Sequence, residues 1–401
     1  MPADALPAGA VSVGAVSAGA LSAGAVSADA VSADAVSAGA VSAGAVSAGA
    51  AGAGPVNPVL AEVVRSGFTE SRHRGSLVLL TADGSVGYAA GTVATSMFPR
   101  SANKPMQATA MVGCGLGLDG RLLALAAASH SGEEFHVDGV REILRLAGLD
   151  ESALQCPPDL PLDESAKAAL LRAGGDADRV HMNCSGKHAA MLASCVAAGW
   201  PTGSYRDPDH PLQVQIRLTV QDLAGEAVTA VGVDGCGAPL FALTLAGLAR
   251  AFRALVLSPP GSAGRKVADA MRQFPVWTSG TRRPEAAMVA AVPGLLMKSG
   301  AEGVCAFALA DGRAGAVKFD DGSARGVAPL MASVLAGMLA GGLNGRAGAA
   351  DGPGAPDGAG VAGGADLAVL GRLAAAPVTG GGVPVGEIRP VRPAGGWFRP
   401  G

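Results

Sequence analysis

The sequence predicts an α+β fold, an antiparallel sheet covered by helices. Three observations point there. Strand-like segments open the globular part, amphipathic helical segments fill its middle, and three short strands with tight turns precede a late helix. Two early strands and three late ones can then join in one sheet.

The ends read differently from the centre. Of the 401 residues, about a fifth are Gly or Pro, concentrated at the two termini. Residues 10–49 are eight copies of a five-residue unit, mostly Ala-Val-Ser-Ala-Gly. That period fits neither helix nor strand, and the side chains are too small for a core. Residues 1–54 are therefore expected to be disordered and to carry no chemistry. They hold no basic n-region and no unbroken apolar run, so they read as neither signal peptide nor membrane span. The globular domain is expected over 55–393, with a flexible Gly/Ala/Pro/Asp-rich insertion at 341–364 and a tail at 394–401.

Within the domain, Val59–Val64 and Gly75–Thr81 read as strands. Asp83-Gly-Ser makes a hairpin turn and Val86–Val93 returns. Helices follow over about 104–117, 120–129, 134–147, 163–173, 185–198 and 211–224, the last opened by Pro211. A strand at Val228–Val233 runs into Asp234-Gly-Cys236, and a long helix is expected over 239–256. Further helices fall at 264–273 and 284–292. The late strands are Gly294–Lys298, Val304–Leu309 and Ala314–Phe319. Helices at 325–340 and 365–374 and a strand at Val383–Ile388 complete the chain.

Charge and cysteine use narrow the function. The net charge is −3, and Asp4, Asp29 and Asp34 lie in the first 54 residues, which contain no Lys or Arg. Removing these three from the 33 acidic residues leaves 30, against 30 basic ones. A neutral domain without a basic run argues against nucleic acid as a partner. Six cysteines in a chain of this size are no disulfide framework, so a reducing, cytoplasmic compartment is expected.

The chemistry gathers in four stretches. Ser101-Ala-Asn-Lys104 is a Ser-x-x-Lys at a loop-to-helix junction. Residues three apart share a helix face, which brings the amine near the hydroxyl. A desolvated amine there can act as general base on a serine nucleophile. Ser129-His130-Ser131 lies between two helices, where the serine β-lactamase and penicillin-binding fold carries its second serine motif, and Lys298-Ser-Gly300 resembles its Lys-Thr-Gly on a sheet strand. Cys184-Ser-Gly-Lys187 and Asp234-Gly-Cys236 add two thiols. These read as two zinc ligands completed by Lys187 or water, as reactive thiols, or as packing. His181 and His188 are open to structural or functional roles.

Taken together, several of these stretches resemble one family. Arg100-Ser-Ala-Asn-Lys-Pro105, Ala128-Ser-His-Ser-Gly-Glu133, Asn183-Cys-Ser-Gly-Lys-His188, Asp209-His-Pro211, Val233-Asp-Gly-Cys-Gly-Ala-Pro239 and Lys298-Ser-Gly-Ala-Glu-Gly303 resemble the rhizobial-type, class 3 L-asparaginases of the asparaginase II family. The resemblance runs from about 57 to 340 and resumes at Val385–Pro390. It implies a β-lactamase-like fold, a homodimer, and hydrolysis of L-asparagine to L-aspartate and ammonia. It also implies catalytic Ser101 with Lys104 and Ser129 with Lys298. Zinc ligands would be Cys184, Lys187 and Cys236, and substrate-binding residues Arg100, His188 and Asp234. Two further readings stand beside it: a β-lactam-interacting serine hydrolase of the same fold, and a zinc-bound amino-acid sensor without catalysis.

Overall fold

A computed structural model describes residues 56–341, 364–393 and 397. The repeat at 1–54, the insertion apart from Gly341 and Gly364, and the tail apart from Trp397 lie outside the described residues, as do the expectations about them.

Strands β1 (Val59–Arg65) and β2 (Phe68–Leu80) form the first hairpin, which turns at Ser66 and Gly67, both with positive φ. Asp83 closes the next turn by accepting from the Ser85 amide at 2.9 Å, and β3 (Val86–Ala90) pairs back on β2. A two-residue strand β4 (Ser96–Met97) follows. Six helices come next: α1 (Lys104–Gly113), α2 (Gly120–Ala126), α3 (Glu134–Leu146), α4 (Glu164–Arg172), α5 (Ser185–Ala198) and α6 (Pro211–Ala224). His210 caps α6: its Nδ1 accepts from the Leu212 amide at 3.1 Å, while Nε2 donates to Pro201 O at 2.9 Å.

The expected long helix at 239–256 is corrected at its start. Pro239–Phe241 is strand β6, paired with β5 (Val231–Val233), and Leu243–Thr244 is β7, paired with β4. Helix α7 (Leu245–Leu257) begins only where Thr244 Oγ1 accepts from the Gly247 amide at 2.9 Å. Then come α8 (Ala263–Gln273), α9 (Pro275–Thr278) and α10 (Pro284–Ala291). The meander is β8 (Leu296–Gly300), β9 (Val304–Ala308) and β10 (Ala314–Phe319). Helices α11 (Val327–Leu339) and α12 (Leu367–Leu373) precede a terminal hairpin, β11 (Ala376–Gly380) and β12 (Val383–Pro390), whose first strand the sequence reading lacked.

The main sheet is antiparallel throughout, in the order β11-β12-β1-β2-β10-β9-β8, with β3 beside the second half of β2. Helices cover both of its faces. Val78, Leu80, Leu296, Ala306, Ala308, Ala314 and Ala316 face one core, with α1, α2, α3, α5, α6, α7 and α8. Leu77, Leu79, Met297, Cys305, Phe307 and Val317 face the other, with α10, α11 and α12. Alternate residues thus enter different cores, which is why Leu77–Leu80 is apolar at every position. Small alanines on β9 and β10 leave room for α7 to lie close. No described helix is long and apolar enough to cross a membrane.

Candidate active site

The site forms where α1, the loop after α2, the start of α5 and edge strand β8 meet. Arg100–Asn103 is a 3₁₀ turn leading into α1, and Arg100 has φ of 50°, in the left-handed region. Such a conformation in a side-chain-bearing residue needs support from its surroundings. Arg100 Nε donates to Asp234 Oδ1 at 2.7 Å, and Nη1 lies 3.7 Å from Glu302 Oε1. Strand β8 packs against this turn through Gly300. A Cβ there would stand 2.5 Å from Pro99 O and 3.2 Å from the Ser101 nitrogen. The glycine of Lys298-Ser-Gly300 is therefore a requirement of close backbone approach.

Ser129 sits at the centre. Its amide donates to Thr278 O at 3.1 Å, which fixes the loop after α2. Its Oγ lies 2.9 Å from Lys104 Nζ and 2.9 Å from Lys298 Nζ. Lys104 Nζ also donates to Ala128 O at 2.5 Å and to Cys184 Sγ at 3.1 Å. Ser101 Oγ is not among its partners, so the structure brings Lys104 to Ser129 and Cys184. Lys298 Nζ donates in addition to Ser299 O at 2.6 Å. Burial, and then repulsion from Lys104, bring the Lys298 amine from an ordinary value of 10.5 down to about 7.

The two thiols converge beside this group. Gly186 lets α5 approach α2: a Cβ there would lie 2.7 Å from Leu125 O. Cys184 and Cys236 are both buried, and Lys187 Nζ donates to Cys236 Sγ at 3.0 Å. The Cys184 thiol donates to Asn183 Oδ1 at 3.1 Å, and the two buried sulfurs influence each other's titration in opposite directions. Cys236 falls well below the usual thiol range, helped by Lys187, while Cys184 rises above it. Burial opposes the Lys187 charge, yet the two sulfurs, Cys236 foremost, make Lys187 hold its proton more tightly than an ordinary lysine. Among the described residues, no group of three or more His, Cys, Asp and Glu is placed to hold a metal. The expected ligand set has two such residues, its third donor being a lysine.

His188 follows Lys187 on α5. Its Nδ1 lies 2.7 Å from the Tyr205 hydroxyl, which already accepts from the Gln155 amide at 3.2 Å. Burial, which lowers the His188 pKa to about 4, keeps the ring neutral, and its other nitrogen is Nε2. That nitrogen is buried without a hydrogen-bond partner. Asp234 belongs to a tight turn closed by Gly237 N donating to Asp234 O at 2.8 Å.

Other polar residues of the early stretches hold the scaffold. His130 Nδ1 accepts from Gly132 N at 3.2 Å, and its Nε2 lies 2.8 Å from Ser185 Oγ, so the 130–132 turn is tied to the start of α5. His181 Nδ1 lies 2.8 Å from Asp178 Oδ1. Sequence reading missed Tyr205, one of two tyrosines in the chain, whose scarcity was its only signal. It also missed Arg283 and Glu285 near Lys298, which nothing in the sequence pattern sets apart.

The family model for L-asparaginase II matches residues 61–349. No curated protein matches the chain. Among solved structures, a β-lactamase described as putative from Bacteroides dorei is 16% identical, over 61% of this chain and 84% of its own, with a TM-score of 0.36. A β-lactamase from Mycobacterium bovis is 16% identical, over 62% of this chain and 88% of its own, with a TM-score of 0.35. The family match spans nearly three quarters of the sequence and the six motifs between Arg100 and Gly303: the chain belongs to the L-asparaginase II family, amidohydrolases that act on asparagine.

Proposed function

We propose that this chain hydrolyses L-asparagine by acyl transfer to a serine, with both Ser–Lys pairs taking part. The observation that carries the reading is Ser129 Oγ, placed 2.9 Å from each of two lysine amines. Lys104 Nζ faces three acceptors, Ala128 O, Ser129 Oγ and Cys184 Sγ, matching the three donors of an ammonium. Lys298, at about 7, is the amine that exchanges a proton near neutrality. In the proposed order, Lys104 passes a proton to Ser129 and Ser129 passes its own to neutral Lys298. Lys104 then takes the Ser101 proton as Ser101 Oγ bonds to the amide carbon. The relay runs back to protonate the nitrogen as the C–N bond breaks and ammonia leaves. Water then resolves the acyl-enzyme.

A second order is favoured by the same contacts. Ser129, whose Oγ touches the amines, attacks directly and Lys298 is its base. Acid quench during turnover, followed by peptide mass spectrometry, distinguishes the two by placing the aspartyl adduct on residue 101 or 129. Each of Ser101→Ala and Ser129→Ala is expected to lose about a thousandfold or more in kcat. Near-normal ammonia release from either variant removes that serine from the mechanism.

Zinc is part of the proposal through Cys184, Lys187 and Cys236. Two sulfurs and one nitrogen suit zinc, and the three groups already meet around the Lys187–Cys236 hydrogen bond of 3.0 Å. Bound there, zinc would supply a fixed positive charge beside the substrate. Lys187 must give up its proton to bind, so zinc affinity is expected to rise with pH. Purified protein is expected to hold about one zinc per chain, lost in a Cys184→Ser, Cys236→Ser double variant. Metal analysis finding none in the unaltered chain ends this part of the proposal. The family resemblance also supports a homodimer, and six free cysteines support a reducing, cytoplasmic compartment.

A further inference from the structure

Strand β8 has a second side. Lys298 points toward Ser129, while its neighbours Met297 and Ser299 point the other way, into a cavity of about 240 Å³ between β8, α10 and α11. A much smaller space, of about 10 Å³, lies around the β8 edge: Ser129 and Lys298 line it together with Arg283, Glu285, Met297 and Ser299, which also line the cavity.

One end of the cavity is charged and incompletely paired. Arg283 Nε and Glu285 Oε2 are both buried without a hydrogen-bond partner. The two side chains approach each other only through Nη2 and Oε1 at 3.5 Å, too long for a good hydrogen bond. Burial opposes the Glu285 charge, yet Arg283 and Ser299 hold its carboxyl below its ordinary value, so it stands as an anion. Helices α10 and α11 both begin at this end, and neither has a side-chain cap. Glu285 itself answers the positive end of α10, and the start of α11 adds to Arg283 in favouring a carboxylate. The remaining wall is apolar, with Met288, Met297, Val327 and Ala328. An orphaned donor, an orphaned acceptor and an apolar wall describe the complement of a zwitterion with an apolar side chain. The volume lies below the roughly 300–1,000 Å³ of pockets for drug-sized molecules, so the occupant is small.

We propose that this cavity binds a free aliphatic α-amino acid, its carboxylate on Arg283, its ammonium on Glu285 and its side chain against Met288 and Met297. The cavity shares Arg283 and Glu285 with the small space beside Ser129 and Lys298, and the proposal does not depend on which serine attacks.

Calorimetric titration of the full chain with L-leucine tests it, together with thermal melts. L-Leucine is expected to bind once per chain and to raise Tm by a few degrees when in large excess. Leucinol, lacking the carboxylate, and isocaproate, lacking the amine, are expected to bind at least about tenfold more weakly. Ala328→Leu fills the cavity from α11 and is expected to abolish leucine binding while ammonia release from asparagine is unchanged. Arg283→Met serves if Ala328→Leu does not fold, and is expected to erase the preference for leucine over leucinol. No binding of L-leucine, valine or methionine at about 10 mM overturns the proposal. So does leucine that competes with asparagine and still binds Ala328→Leu, because it then occupies the catalytic pocket.

Discussion

The buried amine of Lys298 makes a prediction that joins activity to stability. A lysine ordinarily keeps its proton up to about 10.5, whereas burial and repulsion by Lys104 lower Lys298 to about 7. At about 1.4 kcal/mol per pH unit, the folded protein disfavours the ammonium by roughly 5 kcal/mol. Half of the molecules then carry a neutral amine at pH 7, about one in eleven at pH 6 and about one in a hundred at pH 5. If neutral Lys298 accepts the Ser129 proton, kcat/KM falls about tenfold per pH unit below 7 and rises only about twofold above it. The sign for stability follows from proton counts. Between about 7 and 10.5 the unfolded chain binds more protons than the folded one, so this residue's contribution to stability rises with pH through that window. Lys298→Met removes the burdened amine without removing its aliphatic stem. It is expected to abolish ammonia release and to stabilise the fold by up to a few kcal/mol at pH 7. The assays are steady-state ammonia release from pH 5 to 9 at fixed ionic strength, and thermal melts of both proteins. A flat profile from pH 5 to 7, or a Lys298→Met variant less stable than the parent by several kcal/mol, refutes the reasoning.

Other residues give separate tests. Gly300→Ala places a Cβ 2.5 Å from Pro99 O, so β8 and the Arg100–Asn103 turn must separate. A Tm loss corresponding to about 1–3 kcal/mol is expected, with a fall in kcat of at least about tenfold. Tyr205→Phe leaves the Gln155 amide and His188 Nδ1 without their shared hydroxyl, and denaturant melts are expected to show a loss of about 1–3 kcal/mol. Asp234→Asn breaks the 2.7 Å charge pair with Arg100 beside the candidate nucleophile, and steady-state kinetics are expected to show a KM rise of about tenfold or more. His210→Ala removes the cap of α6 and is expected to lower Tm by the equivalent of about 1 kcal/mol while kcat is kept.

Much of the site was legible in the sequence because its residues are dense and polar in a chain of alanine and glycine. Strand β10 and helix α5 have the predicted bounds. The partner of Lys104 was not legible. Three-residue spacing puts Ser101 and Lys104 on one side of the turn, but it does not say where a four-carbon lysine stem ends. Lys104 instead turns inward to the loop after α2. Strands β6 and β7 were hidden because Pro239–Thr244 is as apolar as the helix that follows, and only their pairing with β5 and β4 distinguishes them. Glu285 is one acid in the first turn of a helix, with no sequence pattern to mark it. Its importance comes from β8, which lies next to it only after folding.

The two amines around Ser129 have a consequence for what leaves the enzyme. Among the described residues no carboxylate hydrogen-bonds to either amine, although the Glu285 charge reaches Lys298 from the side. Asparagine brings a neutral side-chain amide to this place, and the proposed reaction turns it into a carboxylate there. The same positive field that favours the oxyanion therefore also grips aspartate. Under the proposed reaction, release of the acid is expected to slow turnover more than entry of the amide, and aspartate is expected to inhibit most strongly at the acid end of the working range, where Lys298 is charged.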